Sequence, residues 1–486
     1  MSATDWEAVI GMECHVELKT NSKMFCGCPN AFGGQPNTNV CPVCLAMPGA
    51  LPVPNAAAIE HLIRAGLAFE AEIPEHSKFD RKNYFYPDMP KNYQISQFDM
   101  PLTQGGIVRF WREDGTLGEC RLTRIHLEED TGKSTHASAD GRLANSSGSL
   151  VDFNRAGVPL MECVGEPELR SADDAAAFIE ALARTFRELG VSDVKMEEGS
   201  LRCDANVSVR PRGTTEFGTK AEIKNMNSFR SVRRAVASEI ARQIAVIEGG
   251  GRVIQETRGW DEINGTTHSQ RSKEQAHDYR YFPDPDLVPM DISRADVERI
   301  RATLPETPYN RFVRYTQSDG IDIARAAQLL DDSALATFFD RTVAITKNPA
   351  GTLAFLLGDL TRLANEAATT VPAGKVTPEA LAELVALTSA GTINSKGAKQ
   401  VIETLWREGG SANAIVERDG LAQVSDPSAI AGIVDEVIAA NPDAVAQFRA
   451  GKENILGFLT GQVMKGSKGK ANPEMANSLL REKLKS

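Results

Sequence analysis

The alternation along Val9–Leu18 demands a strand with one dry face and one charged face. In Val9-Ile10-Gly11-Met12-Glu13-Cys14-His15-Val16-Glu17-Leu18 the even positions are Ile, Met, Cys, Val and Leu, while Glu13, His15 and Glu17 form the other row. A repeat of two residues is the side-chain repeat of a β-strand. From Leu201 to Arg210, Leu201, Cys203, Ala205, Val207 and Val209 again oppose Arg202, Asp204, Asn206, Ser208 and Arg210. Turn residues Arg212, Gly213 and Thr214 follow, and then Lys220, Glu222 and Lys224 alternate with Ala221 and Ile223, so a hairpin with two polar rows is expected. One helix is read among these strands. Ser171 caps it with Asp174 three residues on, Phe178, Ile179, Leu182, Phe186 and Leu189 form its stripe, and Gly190 ends it.

Near residue 294 the character changes to helical. Ser293 with Asp296, Thr377-Pro378-Glu379 and Ser425-Asp426-Pro427 are helix starts. Gly409-Gly410 and Asp419-Gly420 mark a further boundary. The expected class is α+β: an antiparallel-sheet domain over 1–294, an all-α domain over 295–418 and a small all-α tail over 419–486. No run of about 18 apolar residues is present, so no membrane span is expected. The start, with Asp5 and Glu7 and no apolar stretch, does not read as a secretory signal.

Cys26, Cys28, Cys41 and Cys44 form two tight pairs bridged by one loop holding Gly33, Gly34, Pro36, Asn37 and Asn39. That is the spacing of a structural zinc site closed by four thiolates, with no open position for catalysis. Cysteines in metal spacing suit a reducing cytoplasm. The net charge of −11 speaks against a nucleic-acid protein, but Phe448–Ser486 carries eight basic residues against three acidic ones. Lys465, Lys468 and Lys470 there, among glycines, are expected to contact a phosphate backbone, a solvated helical surface being the alternative.

Ionisable rows on several strands locate the chemistry. Ile125-His126-Leu127-Glu128-Glu129-Asp130 ends in three carboxylates, and Glu162 sits in the apolar run Pro159–Val164, where it needs a partner. Carboxylates gathered on one sheet repel unless a cation lies between them. Glu13, His15, Glu129 and Glu162, with Glu128 as a further or alternative member, are therefore expected to surround a divalent metal, magnesium or manganese. Strict alternation from Arg124 and His126 puts Glu128 on the polar row, so choosing Glu129 assumes a bulge or strand end. Arg81 and Lys82, before the loop Asn83–Asp88, and Arg202, Lys220 and Lys224 on the hairpin add cations. Metal on one side and Arg/Lys on the other suit a nucleotide triphosphate and a transferred phosphoryl group. Glu13, Lys82, Arg202 and Lys224 are assigned to catalysis. There is no Gly-x4-Gly-Lys-Ser/Thr loop, so any ATP site is built on the sheet. Cys14 and His15 point to opposite faces and make no nucleophile–base pair, and no Gly-x-Ser-x-Gly elbow or Ser-Ser-Lys signature exists.

Val9–Leu18, Ser77-Lys78-Phe79-Asp80-Arg81-Lys82-Asn83-Tyr84-Phe85-Tyr86-Pro87-Asp88 and Lys195-Met196-Glu197-Glu198-Gly199-Ser200-Leu201-Arg202-Cys203-Asp204-Ala205-Asn206 closely resemble the B subunit of bacterial aspartyl/glutamyl-tRNA(Asn/Gln) amidotransferase. Ile125–Asp130, Asp152–Pro159, His277–Asp286 and the tail Gly457–Leu484 resemble it too. Cys14 departs, since the family usually has valine there, and the cysteine quartet varies among members. The resemblance implies a cradle-shaped catalytic domain similar to glutamine synthetase, a helical middle domain and a tail that contacts tRNA. It implies partners as well: an amidase A subunit that releases ammonia from glutamine, and a small C subunit. ATP would phosphorylate the side-chain carboxylate of Glu-tRNA(Gln) or Asp-tRNA(Asn), and ammonia would displace the phosphate. Two other readings are a free-standing glutamine-synthetase-type ligase on a small carboxylate, and a non-catalytic zinc-bearing tRNA scaffold.

Overall fold

In the computed structural model, which describes residues 5–137, 146–272, 278–423, 427–467 and 470–485, the first alternating segment becomes an interior strand. The main sheet consists of β1 (Trp6–Glu17), β2 (Ile107–Trp111), β3 (Leu117–Glu129), β4 (Pro159–Gly165), β5 (Leu201–Pro211), β6 (Ala221–Lys224), β7 (Glu256–Asp261) and β8 (Thr266–Ser272). Its spatial order is β8-β7-β6-β5-β1-β4-β3-β2. β1 pairs antiparallel with β5 on one side and β4 on the other. The sheet is not purely antiparallel as expected: β6 and β7 run parallel. A parallel pair needs a crossover, and α3 (Phe229–Glu248) provides it.

The dry row of β1 faces helices. Ile10, Met12, Cys14 and Val16 share a core with Phe178, Ile179, Leu182 and Phe186 of α2 (Ala172–Glu188) and with Val232, Ala235 and Val236 of α3. α2 begins where expected, with the Ser171 side chain accepting from the Asp174 N–H. Asp173 and Asp174 in its first turn and Arg187 in its last suit the helix dipole. Among the described residues three helices, not one, interrupt the strands before residue 294, because α1 (Ala56–Ala68), capped by Asn55, and α3, capped by Ser228, join α2.

The helical character after 294 holds, and its first stretch packs on the sheet-bearing unit. α4 (Arg294–Arg301) places Val297 and Ile300 against Ile63, Leu67 and Ile73. α5 (Pro308–Val313) stacks Phe312 on Trp111 at 4.3 Å, and Arg311 lies 3.2 Å from Glu188. By contacts the chain divides into Met1–Arg314 and Tyr315–Ser486. Within the second unit, the helices Pro427–Ala440, Ile455–Gly466 and Pro473–Lys485 bury a separate core of Ile430, Val434, Leu459, Val463 and Leu480. The Ser425-Asp426 start lies outside the described residues. The class is α+β.

Phe178 is fully buried between α2 and the sheet. Phe178→Ala should lower the stability of the first unit by about 3–5 kcal/mol. The check is a urea transition followed by the fluorescence of Trp6, Trp111 and Trp260, which all lie in that unit.

Candidate active site

Strand register turns the polar rows into one line of side chains across the sheet. Glu162 on β4 stands opposite His15 on β1 and His126 on β3, and His15 in turn stands opposite Arg202 on β5. His15 Nε2 lies 3.7 Å from Glu128 Oε1 and 3.5 Å from Glu162 Oε2. His126 Nε2 approaches the same pair at 3.9 Å and 3.4 Å. One ligand atom each from His15, Glu128 and Glu162 fall within 4.8 Å of one another. The two carboxylate oxygens suit magnesium or manganese, while the imidazole nitrogen is a softer donor than magnesium favours.

Glu129, expected in this group, turns away from it. Its carboxylate pairs with Lys91 and accepts the Ile95 N–H at 3.0 Å. The register shift in β3 lies between Leu122 and Arg124, upstream of the carboxylates. Alternation then runs unbroken to the strand end, which leaves Glu128 beside His15. Glu128 also accepts from Ser96 Oγ at 3.2 Å. His126 is absent from the expected set, although it stands two residues before Glu128 on the same row.

Burial works against charge at the centre, and neighbours reverse it. Burial alone would raise the Glu162 carboxyl, but His126, His15 and Lys82 hold it well below the ordinary range. Glu128 is likewise lowered despite burial, by His126 and Lys82. Burial would lower His15, yet Glu162 and Glu128 raise it to about 8. Lys82 is raised too, since Glu128 and Glu162 outweigh its burial, and its ammonium stands 5.1 Å from the centre of the Tyr279 ring. Among the described residues Lys82 has no ion pair within 4.0 Å.

The remaining candidates border this centre. Glu13 is raised by burial and by Glu162, and accepts from Asn206 Nδ2 at 2.9 Å. Arg202 pairs with Asp130, and Lys224 pairs with Asp204 and lies 3.4 Å from Glu222. Asp130, Asp204 and Glu222 thus orient the cations. Alongside Glu13 a cleft of about 380 Å³ is lined by Val9, Gly11, Asn206, Ser208, Phe217 and Lys220. Its wall requires glycine at 218, where a Cβ would stand 2.2 Å from the Val209 carbonyl oxygen.

The four cysteines come together apart from the sheet row. One sulfur from each lies within 4.8 Å of the others, and Cys41 and Cys44 Sγ are 3.8 Å apart. A tetrahedron with bonds of about 2.3 Å has edges of about 3.8 Å, so the donor set fits zinc. Among the described residues all eight cysteines are free thiols. Neighbouring sulfurs shift one another: Cys26 draws Cys44 down to about 4, while burial and Cys41 push Cys28 up to about 11. In the second unit Lys465 ends the helix Ile455–Gly466, Lys470 precedes Pro473–Lys485, and both are exposed. Lys468 lies outside the described residues, as does His277.

Residues 8–298 match the family described as GatB/GatE catalytic domain, and residues 337–484 match the one described as GatB domain. The chain is similar to the B subunit of the aspartyl/glutamyl-tRNA(Asn/Gln) amidotransferase of Moorella thermoacetica, 52% identical over 480 residues covering 99% of this chain and 100% of the relative. It is similar to the same subunit of Carboxydothermus hydrogenoformans, at 50% identity over 99% of each chain. The counterpart in Brevibacillus brevis is also 50% identical, over 99% of each chain. With two family matches and relatives aligned from end to end, the chain belongs to the family of aspartyl/glutamyl-tRNA(Asn/Gln) amidotransferase B subunits.

Proposed function

We propose that His15, Glu128 and Glu162 hold a divalent cation, magnesium or manganese, against the phosphates of ATP. The single observation that carries this is the pair of buried carboxylates drawn together between two histidines at the middle of the sheet. The B subunit works within an ATP-dependent carbon–nitrogen ligase of translation. The cleft beside Glu13 offers room for the nucleotide, with Lys220 at its edge. The cation would neutralise phosphate charge and align the transferred group. Lys82, which has no ion pair among the described residues, stabilises charge on that group, while Arg202 and Lys224, oriented by Asp130 and Asp204, bind its surroundings. The side-chain carboxylate of Glu-tRNA(Gln) or Asp-tRNA(Asn) attacks the γ-phosphorus and ADP leaves. Ammonia then attacks the acyl carbon, and phosphate leaves as the amide forms. Ammonia comes from an amidase A subunit, with a small C subunit completing a heterotrimer. Cys26, Cys28, Cys41 and Cys44 hold a structural zinc. No helix among the described residues is long and apolar enough to cross a membrane, and the cytoplasm is the compartment that suits this translation enzyme.

The test is reconstitution with the A and C subunits and ATP-dependent conversion of both misacylated tRNAs. Turnover of free glutamate with ammonium and no tRNA would replace this reading with the free-standing ligase. Glu128→Gln and His15→Ala should each lower phosphorylation by orders of magnitude, because phosphoryl transfer depends on charge neutralisation and positioning. Glutamine hydrolysis by the partner should persist. Glu129→Gln should lose less turnover while lowering stability by about 1–3 kcal/mol, since it strands buried hydrogen-bond partners. Equal turnover in Glu128→Gln and wild type would remove Glu128 from the site.

Within the expected division into 1–294, 295–418 and 419–486, the last piece is the tRNA contact. Lys465, Lys468 and Lys470 bring ammonium groups to a phosphate backbone, adding affinity that weakens as salt rises. Deletion of 419–486 should raise the KM for aminoacyl-tRNA strongly and flatten its salt dependence, leaving ATP binding intact. An unchanged KM would show these lysines to be solvated surface only.

A further inference from the structure

We infer that the four-cysteine cluster positions the phosphoryl-transfer face by gripping the segment 151–158, a strand end and the turn after it, a link that rests on the function proposed above. Gly157 is where the two meet. A side chain starting there would stand 3.6 Å from Cys44 Cβ, 3.7 Å from Lys23 Cδ and 4.0 Å from Glu129 Oε2. Its φ of +83° calls for glycine, while these neighbours stand at ordinary contact distance. Its backbone joins the same two sides. Met24 N–H donates to the Gly157 carbonyl at 2.7 Å, and Gly157 N–H donates to the Asp130 carbonyl at 2.9 Å. Asp130 N–H then donates to Val158 at 2.8 Å, while its carboxylate pairs with Arg202 and lies 3.6 Å from Arg155.

The loop between the cysteine pairs holds the start of the same segment. Asn37 N–H donates to Asp152 at 2.9 Å, its side-chain amide donates to the Val151 carbonyl at 3.0 Å, and its side-chain oxygen accepts the Phe153 N–H at 2.8 Å. Asn39 N–H donates to Asn154 at 2.8 Å, and the Asn154 amide donates to the Gln35 carbonyl at 2.7 Å. A second route runs through Phe25, next to Cys26. Its ring lies edge-on to Phe79 at 5.3 Å and 6.0 Å from the Lys91 ammonium, which pairs with Glu129.

Lys23 ties the cluster to this loop. It is 1% exposed, and its ammonium donates to the Asn39 carbonyl at 2.9 Å and to Cys44 Sγ at 3.8 Å. Four thiolates around a divalent zinc carry a net charge of about −2, which a buried ammonium partly offsets. Lys23 is thus a positioning residue. Without the metal the sulfurs lose the ion that bridges them and take up protons, the loop loses its anchor, and the segment that seats Asp130 and Glu129 loosens. Partners outside the ligand set of a metal typically matter by about 10–100-fold in metal affinity or activity.

The experiment strips zinc from the reconstituted complex with a thiol-directed mercurial and chelator, reduces it, and restores zinc. Zinc release, phosphorylation kinetics and amide hydrogen exchange are followed together. Stripping should lower kcat for phosphorylation about 10–100-fold with little change in the KM for tRNA. Exchange protection should fall at 128–130 and 151–158 but persist in α2 and β5, and zinc should restore both. Lys23→Met should release zinc faster and lower kcat even at saturating zinc, with Lys23→Arg recovering most of the loss. Unchanged kcat after zinc loss, or protection lost evenly across the whole first unit, would overturn the link. If Lys23→Met does not fold, the stripping arm decides alone. A zinc-loaded complex with no ATP-dependent activity would instead count against the proposed function, and the exchange pattern would still decide the link.

Discussion

The carboxylates of Glu128 and Glu162 are buried within reach of the same two imidazoles, and the rest of the charged face is arranged around that crowding. Oxygens within 4.8 Å of each other repel by about 3–4 kcal/mol at an effective dielectric of about 20. Lys82, His15 and His126 offset that repulsion from three directions, which is why both carboxyls stay acidic although buried. With His15 raised by the same two carboxylates, a divalent ion held by its imidazole nitrogen would first have to displace the proton there.

At the edges the same logic runs in reverse. Arg202 and Lys224 arrive already paired with Asp130 and Asp204. A cation held by a carboxylate has a fixed direction and a reduced net charge, so it contributes geometry more than attraction. Lys82 contributes charge. The face therefore combines rigid, nearly neutral pairs with a strongly attractive group: the two ladders of β1 set His15 against Arg202 and Glu162, while Lys82 comes from the separate strand Asp80–Asn83.

Much of this is legible in the chain because β-strands advertise themselves through alternation. The alternating segments Val9–Leu18 and Leu201–Arg210 are strands as expected, and they pair with each other, which alternation alone does not show. Local caps reveal α2 through Ser171, and the same kind of signal stands before α1 at Asn55 and α3 at Ser228, neither of which is in the expected set. Choosing Glu129 over Glu128 goes against the alternation, and the bulge it assumes lies instead near Thr123. His126 is readable by the same two-residue step. The parallel pairing of β6 with β7 is not, because it depends on how α3 packs rather than on any local pattern. Nor can a sequence show that the cysteine loop and the carboxylate strand share Gly157 as a neighbour.

Of the strands described, β1 leaves the ribosome before its neighbours, and both of them arrive late. Its partner β4 begins at Pro159 and β5 ends at Pro211. At about 5–20 residues per second, the nascent strand waits roughly 10–40 s before both ladders can close. During that interval its apolar row of Ile10, Met12, Cys14 and Val16 has no sheet to join, and non-local pairing of this kind is slow in any case. The central position of β1 thus leaves the apolar row of the N-terminal segment open to misassociation during synthesis.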